Sequence, residues 1–180
     1  MSDFDRDSYR TPSYLFHWLN RRFHFDFDGC ASEENALCQF YCSDDREGGF
    51  LTFDPFDCEC DVFKPTSIFI NPPYSNPTDF IKRAIWWKEY NRLVVMLLPA
   101  DKTTEWFKLI EKHATEVIEI VGYHDEKGKW RTGRIQFIHP VTGKPTQGNN
   151  KGSMIVVFDP LVQGMVTRQV SLDFIKQWGK

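Results

Sequence analysis

Two apolar periods run along this chain, one of three to four residues and one of two. Leu15, Phe16, Leu19 and Phe23 recur at helical spacing and predict a helix over 13–23. Thr11 stands ready to cap it, and Pro12 suits its first turn. Residues 24–28 then alternate apolar and polar, as a strand ending on Asp28 does, and Gly29, Cys30, Ala31 and Ser32 follow as a small-residue turn. Residues 33–41 are expected as a short helix and 50–53 as a short strand. Ser67–Ile70 predicts a strand that runs directly into Asn71. A helix is predicted over 79–90, with Phe80, Ile81, Ala84, Ile85 and one of Trp86 and Trp87 inward. The unbroken apolar run 93–98 is the pattern of a strand covered on both faces. A helix over 104–113 and strands over 116–121, 134–138 and 154–158 come next, then a helix over 172–178.

Strands that alternate with helices predict an α/β fold, a mostly parallel sheet with helices on both faces. The segments 134–138 and 154–158 have no helix between them and are expected to pair as a C-terminal antiparallel hairpin. The first ten residues lack an apolar period, which gives a flexible tail over 1–10 and a single domain over 11–180. Ligands of such sheets bind beyond the carboxyl ends of the strands, where Asp28 and Asn71 both fall.

Composition narrows the class. With 180 residues, 41% hydrophobic and 26% charged, the chain has the make-up of an ordinary globular protein. No apolar run approaches the roughly 20 residues needed to span a bilayer, and the polar start lacks a signal-peptide pattern. These features predict a cytoplasmic protein without a membrane partner. The net charge of −3 means that any nucleic-acid contact needs a local basic face. Five cysteines, at 30, 38, 42, 58 and 60, include no C-x-x-C pair, so free thiols are expected rather than a metal site.

The chemistry concentrates in Asn71, Pro72, Pro73 and Tyr74. Two consecutive prolines fix two φ angles, remove two donors and keep the residues before them extended. In that stiff turn the Asn71 amide oxygen and the Pro72 carbonyl can converge as two acceptors. An exocyclic amine has two protons to give, and Tyr74 adds a ring on which a planar base can stack. Hydrogen bonds from an aromatic amine to fixed acceptors favour a more tetrahedral and more nucleophilic nitrogen.

Asn-Pro-Pro-Tyr behind a strand resembles the signature of S-adenosylmethionine-dependent amino-methyltransferases. The ordered set is broader: Thr11-Pro12; Phe27 to Ser32 with Glu33, Asn35, Ala36, Cys38 and Tyr41; Asn71 to Ser75; Leu97 to Ala100 with Thr104, Trp106 and Phe107; Gly133, Arg134, Ile135 and Phe137; and Gly152 to Met154. Over about Thr11 to Phe158 it is similar to the phage-type Dam family of DNA adenine-N6 methyltransferases. The resemblance implies a Rossmann-like class I methyltransferase sheet, S-adenosylmethionine as cofactor, double-stranded DNA as substrate and, for a phage-encoded chain, action in the host cytoplasm as a monomer or weak dimer. Asn71 and Pro72 would accept from the adenine amine, and Tyr74 would stack on the flipped-out base. Asp28, Gly29, Ala31 and Ser32 match the first cofactor loop, and Thr11 and Pro12 would lie near the methionine end of the cofactor. Asp54 is a further candidate for the adenosine, with Glu33, Asp44 and Asp57 also open. One departure stands out: the usual glycine-rich cofactor loop carries a single glycine, Gly29.

The stretch 127–151 carries Lys127, Lys129, Arg131, Arg134, Lys144 and Lys151, interleaved with Trp130 and His139. Such a segment can neutralise phosphates. Arg131, Arg134, Lys144 and Lys151, with Ser75 beside the turn, are therefore the expected DNA contacts; a solvated basic loop is the alternative. Two functional alternatives remain open at this level. One is an amino-methyltransferase acting on RNA or on protein glutamine. The other is a weak or inactive methyltransferase-fold module that binds DNA or protein.

Overall fold

The computed structural model describes residues 6–43, 49–56, 63–146 and 150–180. Its centre is a seven-stranded sheet in the order β2-β1-β3-β4-β8-β5-β9. The strands are β1 (Phe27–Asp28), β2 (Phe40–Tyr41), β3 (Ser67–Ile70), β4 (Leu93–Pro99), β5 (Glu116–Val121), β8 (Ser153–Phe158) and β9 (Val166–Ser171). A separate antiparallel hairpin joins β6 (Tyr123–His124) to β7 (Trp130–Arg131). Within the sheet only β8 runs antiparallel to its neighbours, between β4 and β5.

Side-chain alternation builds a core on each face of the sheet. Ile68, Ile70, Val94, Met96, Leu98, Val156 and Phe158 point to one face. There they meet α2 (Pro77–Glu89) and α3 (Glu105–His113) through Ile81, Ala84, the fully buried Trp87 and Ile110. Phe69, Val95, Leu97, Ile118, Ile155 and Val157 point to the other. They meet α1 (Ser13–Phe23) and α4 (Leu172–Trp178) through Leu15, Leu19, Leu172 and Ile175. Both faces of the central strands are thus covered, as their unbroken apolar runs require.

Several local expectations change. Thr11 does not cap α1: Pro12 occupies the cap position, its carbonyl accepts from Leu15 and Phe16, and no side chain caps the helix. Residues 33–41 form turns and then β2 instead of a helix, and 50–53 form a turn instead of a strand. The antiparallel hairpin is present, but β6 and β7 build it. Residues 134–138 do not pair with 154–158; β4 and β5 take the two edges of β8, and the helix layers bury both of its faces. Residues 132–137 keep the alternation of a strand, with Thr132, Arg134 and Gln136 exposed and Gly133, Ile135 and Phe137 buried, outside any assigned strand. The edge strand β9 has no apolar alternation to betray it.

The tail expectation also changes from residue 6 onward. The backbones of Arg10 and Ile138 exchange two hydrogen bonds of 2.9 Å, and the Tyr74 N–H donates to Asp7 Oδ1 at 2.9 Å. Residues 6–10 are therefore docked against the body of the fold.

Candidate active site

The carboxyl ends of β1, β3, β4 and β5 share one rim, and four connections leave it. The Gly29 loop follows β1, the Asn71 turn follows β3, the Asp101 loop follows β4 and the β6–β7 hairpin follows β5. β1 and β3 are adjacent and parallel, with Asp28 opposite Phe69. The Gly29 N–H donates to the Phe69 carbonyl at 2.9 Å. Sheet pairing therefore sets the first loop beside the Asn71-Pro72-Pro73-Tyr74 turn.

In that turn Asn71 is half-buried and Pro72 is buried. Neither the Asn71 amide group nor the Pro72 carbonyl has a hydrogen-bond partner among the described residues. Pro73 lacks an N–H, so the short ladder of β3 cannot continue through it. Pro77 then opens α2 at its first turn. The turn is held from two sides. Asp7 accepts the Tyr74 N–H, and the Tyr74 ring meets Phe137 edge-on, with centroids 6.0 Å apart at 85°. The Tyr74 hydroxyl is buried without a partner, and burial pushes its pKa up. Tyr74 is thus packed into the fold on one side and is not a freely projecting ring.

The cofactor-loop residues divide. Thr11 and Pro12 line a cleft of about 460 Å³ together with Arg10, Tyr14, Glu34, Asn35, Ala36, Leu37, Gln136 and Ile138. Asp28 does not open into it as a free acceptor. It is 3% exposed, and its carboxylate accepts the Leu37 and Cys30 N–H groups at 3.1 and 3.4 Å. Burial outweighs those two bonds and raises its pKa to about 6. Asp28 is thus a brace that shapes the 29–37 loop. Gly29 answers a packing demand, because a Cβ there would stand 2.6 Å from the Phe50 ring. Ala31 is buried with its N–H on the Cys42 carbonyl, and Ser32 bonds the Asn35 side chain through N–H and hydroxyl. Asp54 accepts the Phe56 N–H at 2.9 Å in a local turn and does not line the cleft. Among the described residues the acid that lines it is Glu34, next to Glu33, one of the acids left open beside Asp54. Asp44 and Asp57 lie outside the described residues, as do Cys58 and Cys60. Among the described residues no cluster of His, Cys, Asp and Glu could hold a metal ion.

The expected DNA contacts also divide. Arg131 pairs with Asp125 at 2.8 Å and Lys151 with Asp101 at 2.7 Å. Lys151 and Thr103 hold the Asp101 carboxyl down at about 2. Arg134 and Lys144 are exposed and make no side-chain hydrogen bond or ion pair among the described residues, and Ser75 is exposed beside the turn. Arg131 and Arg134 line a second cleft of about 600 Å³ with Tyr123, Thr132, Gln136, Thr146 and Lys176. The first loop, the turn and the basic segment therefore meet at one end of the sheet, whereas Asp54 stands apart from both clefts.

Sequence reading missed Asp7, Arg10, Glu34, Leu37 and Gln136. Asp7 and Arg10 sit in a segment without apolar period, which carries no sign of docking. Gln136 was detectable as an outward position of the 134–138 alternation.

The family model for DNA N-6-adenine-methyltransferase (Dam) matches residues 1–180. The chain is 36% identical over 166 residues to a protein of Escherichia phage T1 named DNA N-6-adenine-methyltransferase, covering 89% of this chain and 66% of that relative. It is 34% identical over 180 residues to a Haemophilus phage HP1 protein of the same name, covering 97% of this chain and 92% of that relative.

Proposed function

Because the chain belongs to the DNA N-6-adenine-methyltransferase family, we propose that it transfers a methyl group from S-adenosylmethionine to the N6 amine of a flipped-out adenine in double-stranded DNA. The observation that carries this reading is a pair of acceptors without a partner among the described residues, the Asn71 amide oxygen and the Pro72 carbonyl, on a rigid turn beside the β1 loop.

The chain's part in the reaction follows from those two oxygens. Each accepts a hydrogen bond from one N–H of the adenine amine, which draws the nitrogen out of conjugation and aims its lone pair. As that nitrogen gains positive charge, the same two dipoles stabilise it without having to reorganise. The surplus proton then passes from that nitrogen to solvent water, since neither an amide oxygen nor a peptide carbonyl is basic enough to keep it. The Tyr74 ring, anchored on Phe137, offers its remaining face to the base.

The residues of the first cleft suit the cofactor. Its volume lies within the range of small-molecule sites, about 300–1,000 Å³. Arg10 and Glu34, paired with each other at 3.3 Å, offer a cation and an anion that a zwitterionic amino-acid end can bridge, and Thr11 adds a hydroxyl. Pro12, Ala36 and Leu37 supply apolar lining. When bound there, S-adenosylmethionine supplies an electrophilic methyl group on a sulfonium centre. Asp28, Gly29, Ala31 and Ser32 act by shaping the loop, and Asp54 is at most a remote contributor. Arg131, Arg134, Lys144, Lys151 and Ser75 form the DNA-facing rim, working as one unit with residues 11–180. Both curated relatives are phage proteins, and the proposed place of action is the cytoplasm of a bacterial host. Among the described residues no helix is long and apolar enough to cross a membrane.

The test is the identity of the product. Tritiated S-adenosylmethionine, the purified chain and unmethylated plasmid DNA are incubated, and the DNA is digested to nucleosides. Label should elute as N6-methyldeoxyadenosine. Label in cytosine, or only in RNA or protein, contradicts the proposal.

A further inference from the structure

The exposed side of residues 132–136, which carries Arg134 of the DNA-facing rim, lies between the two clefts. Gln136 lines both of them, and Arg134 lines the second. The buried side of the same segment fixes it in place. Gly133 packs so closely that a Cβ there would stand 2.4 Å from the Val121 carbonyl carbon. Ile135 is fully buried, and Phe137 supports the Tyr74 ring. Thr132, Arg134 and Gln136 are therefore presented outward from a backbone that is held on its other side. The side chains of Arg134 and Gln136 make no hydrogen bond among the described residues.

Their chemistry is that of base readers. A guanidinium fork matches the O6 and N7 acceptors of guanine, and a carboxamide matches the N6 donor and N7 acceptor of adenine. Residues two apart on an extended chain are about 6.6 Å apart, close to two base-pair rises of about 3.4 Å. Cations flank the pair: Arg131, held by Asp125, and Lys176 on α4, both lining the same cleft.

We infer that residues 132–136 form a sequence-reading ribbon, in which Arg134 reads a guanine and Gln136 an adenine close to the target base, while Lys176 contacts a phosphate. The inference rests on the proposed DNA substrate and adds the residues that select the site.

The experiment compares wild type with Arg134→Ala, Arg134→Lys, Gln136→Ala and Lys176→Ala. Each methylates a plasmid library carrying every single-base variant of the wild-type site, and methylated positions are read by sequencing. Of the three side chains, Arg134 and Gln136 are exposed and Lys176 is half-buried with its ammonium 5.6 Å from the Tyr14 ring centroid, and melting curves check that each variant folds. Arg134→Ala and Gln136→Ala should each lose discrimination by about 5- to 150-fold, at one position only. Arg134→Lys should behave as Arg134→Ala does, because a lysine keeps the charge and loses the fork. Lys176→Ala should slow every site alike and reduce the salt slope by about one. Unchanged relative rates across sites in both Ala variants overturn the inference, and so does a uniform loss in both. A wild-type chain that methylates no DNA overturns the proposed function itself, a different outcome.

Discussion

Removing the Asp7 carboxylate should slow methyl transfer although Asp7 touches neither of the proposed acceptors. Its Oδ1 accepts the Tyr74 N–H at 2.9 Å, and Tyr74 closes the turn that carries Asn71 and Pro72. A hydrogen bond to a charged acceptor contributes about 1.5–3 kcal/mol, and one to a neutral acceptor about 0.5–1.5 kcal/mol. If the turn must hold its geometry only as the amine reacts, the loss falls on the chemical step. Asp7→Ala then lowers the single-turnover rate by about 10- to 150-fold. Asp7→Asn keeps a neutral acceptor and loses about 5- to 10-fold. The assay is rapid-quench methylation of duplex DNA at saturating cofactor, with DNA affinity measured separately by fluorescence anisotropy. The rate should fall while affinity changes little. An Asp7→Ala rate within about twofold of wild type would refute the reasoning, as would a loss confined to DNA affinity.

Two further predictions concern how the rim is held. Gly133→Ala places a methyl group against the Val121 backbone, which cannot move aside as a side chain can. The overpacking should cost about 1–3 kcal/mol and lower Tm by about 2–12 °C; an unchanged melting curve contradicts the contact. Burial raises the Asp28 carboxyl from its ordinary 3.8 to about 6, so the folded chain holds that proton more tightly. Below pH 4 both states are protonated, and no penalty exists. Between about pH 4 and 6 the unfolded chain has released the proton and the folded chain has not, so stability falls as pH rises. Above that window the loss levels off at about 3 kcal/mol. Urea unfolding of wild type and Asp28→Asn from pH 4 to 7.5 reads this as a pH-dependent difference between them; a flat difference rejects it.

The layered fold was legible because its central strands are covered on both faces and its helices on one. The runs 67–70, 93–98 and 116–121 could be little else, and α1, α2, α3 and α4 each show an apolar stripe. What escaped was decided by partners far along the chain. β1 is only two residues long, and just before it the Asp26 carboxylate accepts the Thr66 and Ser67 N–H groups. β9 is a polar edge strand held to β5 by its backbone ladder, with Arg168 bonded to Glu116, so its sequence carries little apolar pattern. Residues 134–138 show the limit of pattern reading. The alternation there is real, but the pattern cannot say whether a neighbouring strand exists to complete a ladder.

The candidate site was legible where backbone chemistry is local. Two prolines behind a strand fix two φ angles and remove two donors by covalent structure alone, which ends the ladder at Asn71. It was less legible where side chains act at a distance. Asp28 reads as a cofactor acid from its place at a strand end, yet it is spent on the N–H groups of Cys30 and Leu37. Arg131 and Lys151 read as free cations, yet each has an aspartate partner.

The most direct test of the central claim is the single-turnover methylation rate of Asn71→Ala beside wild type on duplex DNA. Asn71 lies outside both core clusters, so the variant should fold and melt as wild type does. Loss of one of two acceptors for the reacting amine should slow methylation by about 100- to 1,000-fold, with cofactor affinity retained. A variant that folds and methylates adenine at the wild-type rate would contradict the account.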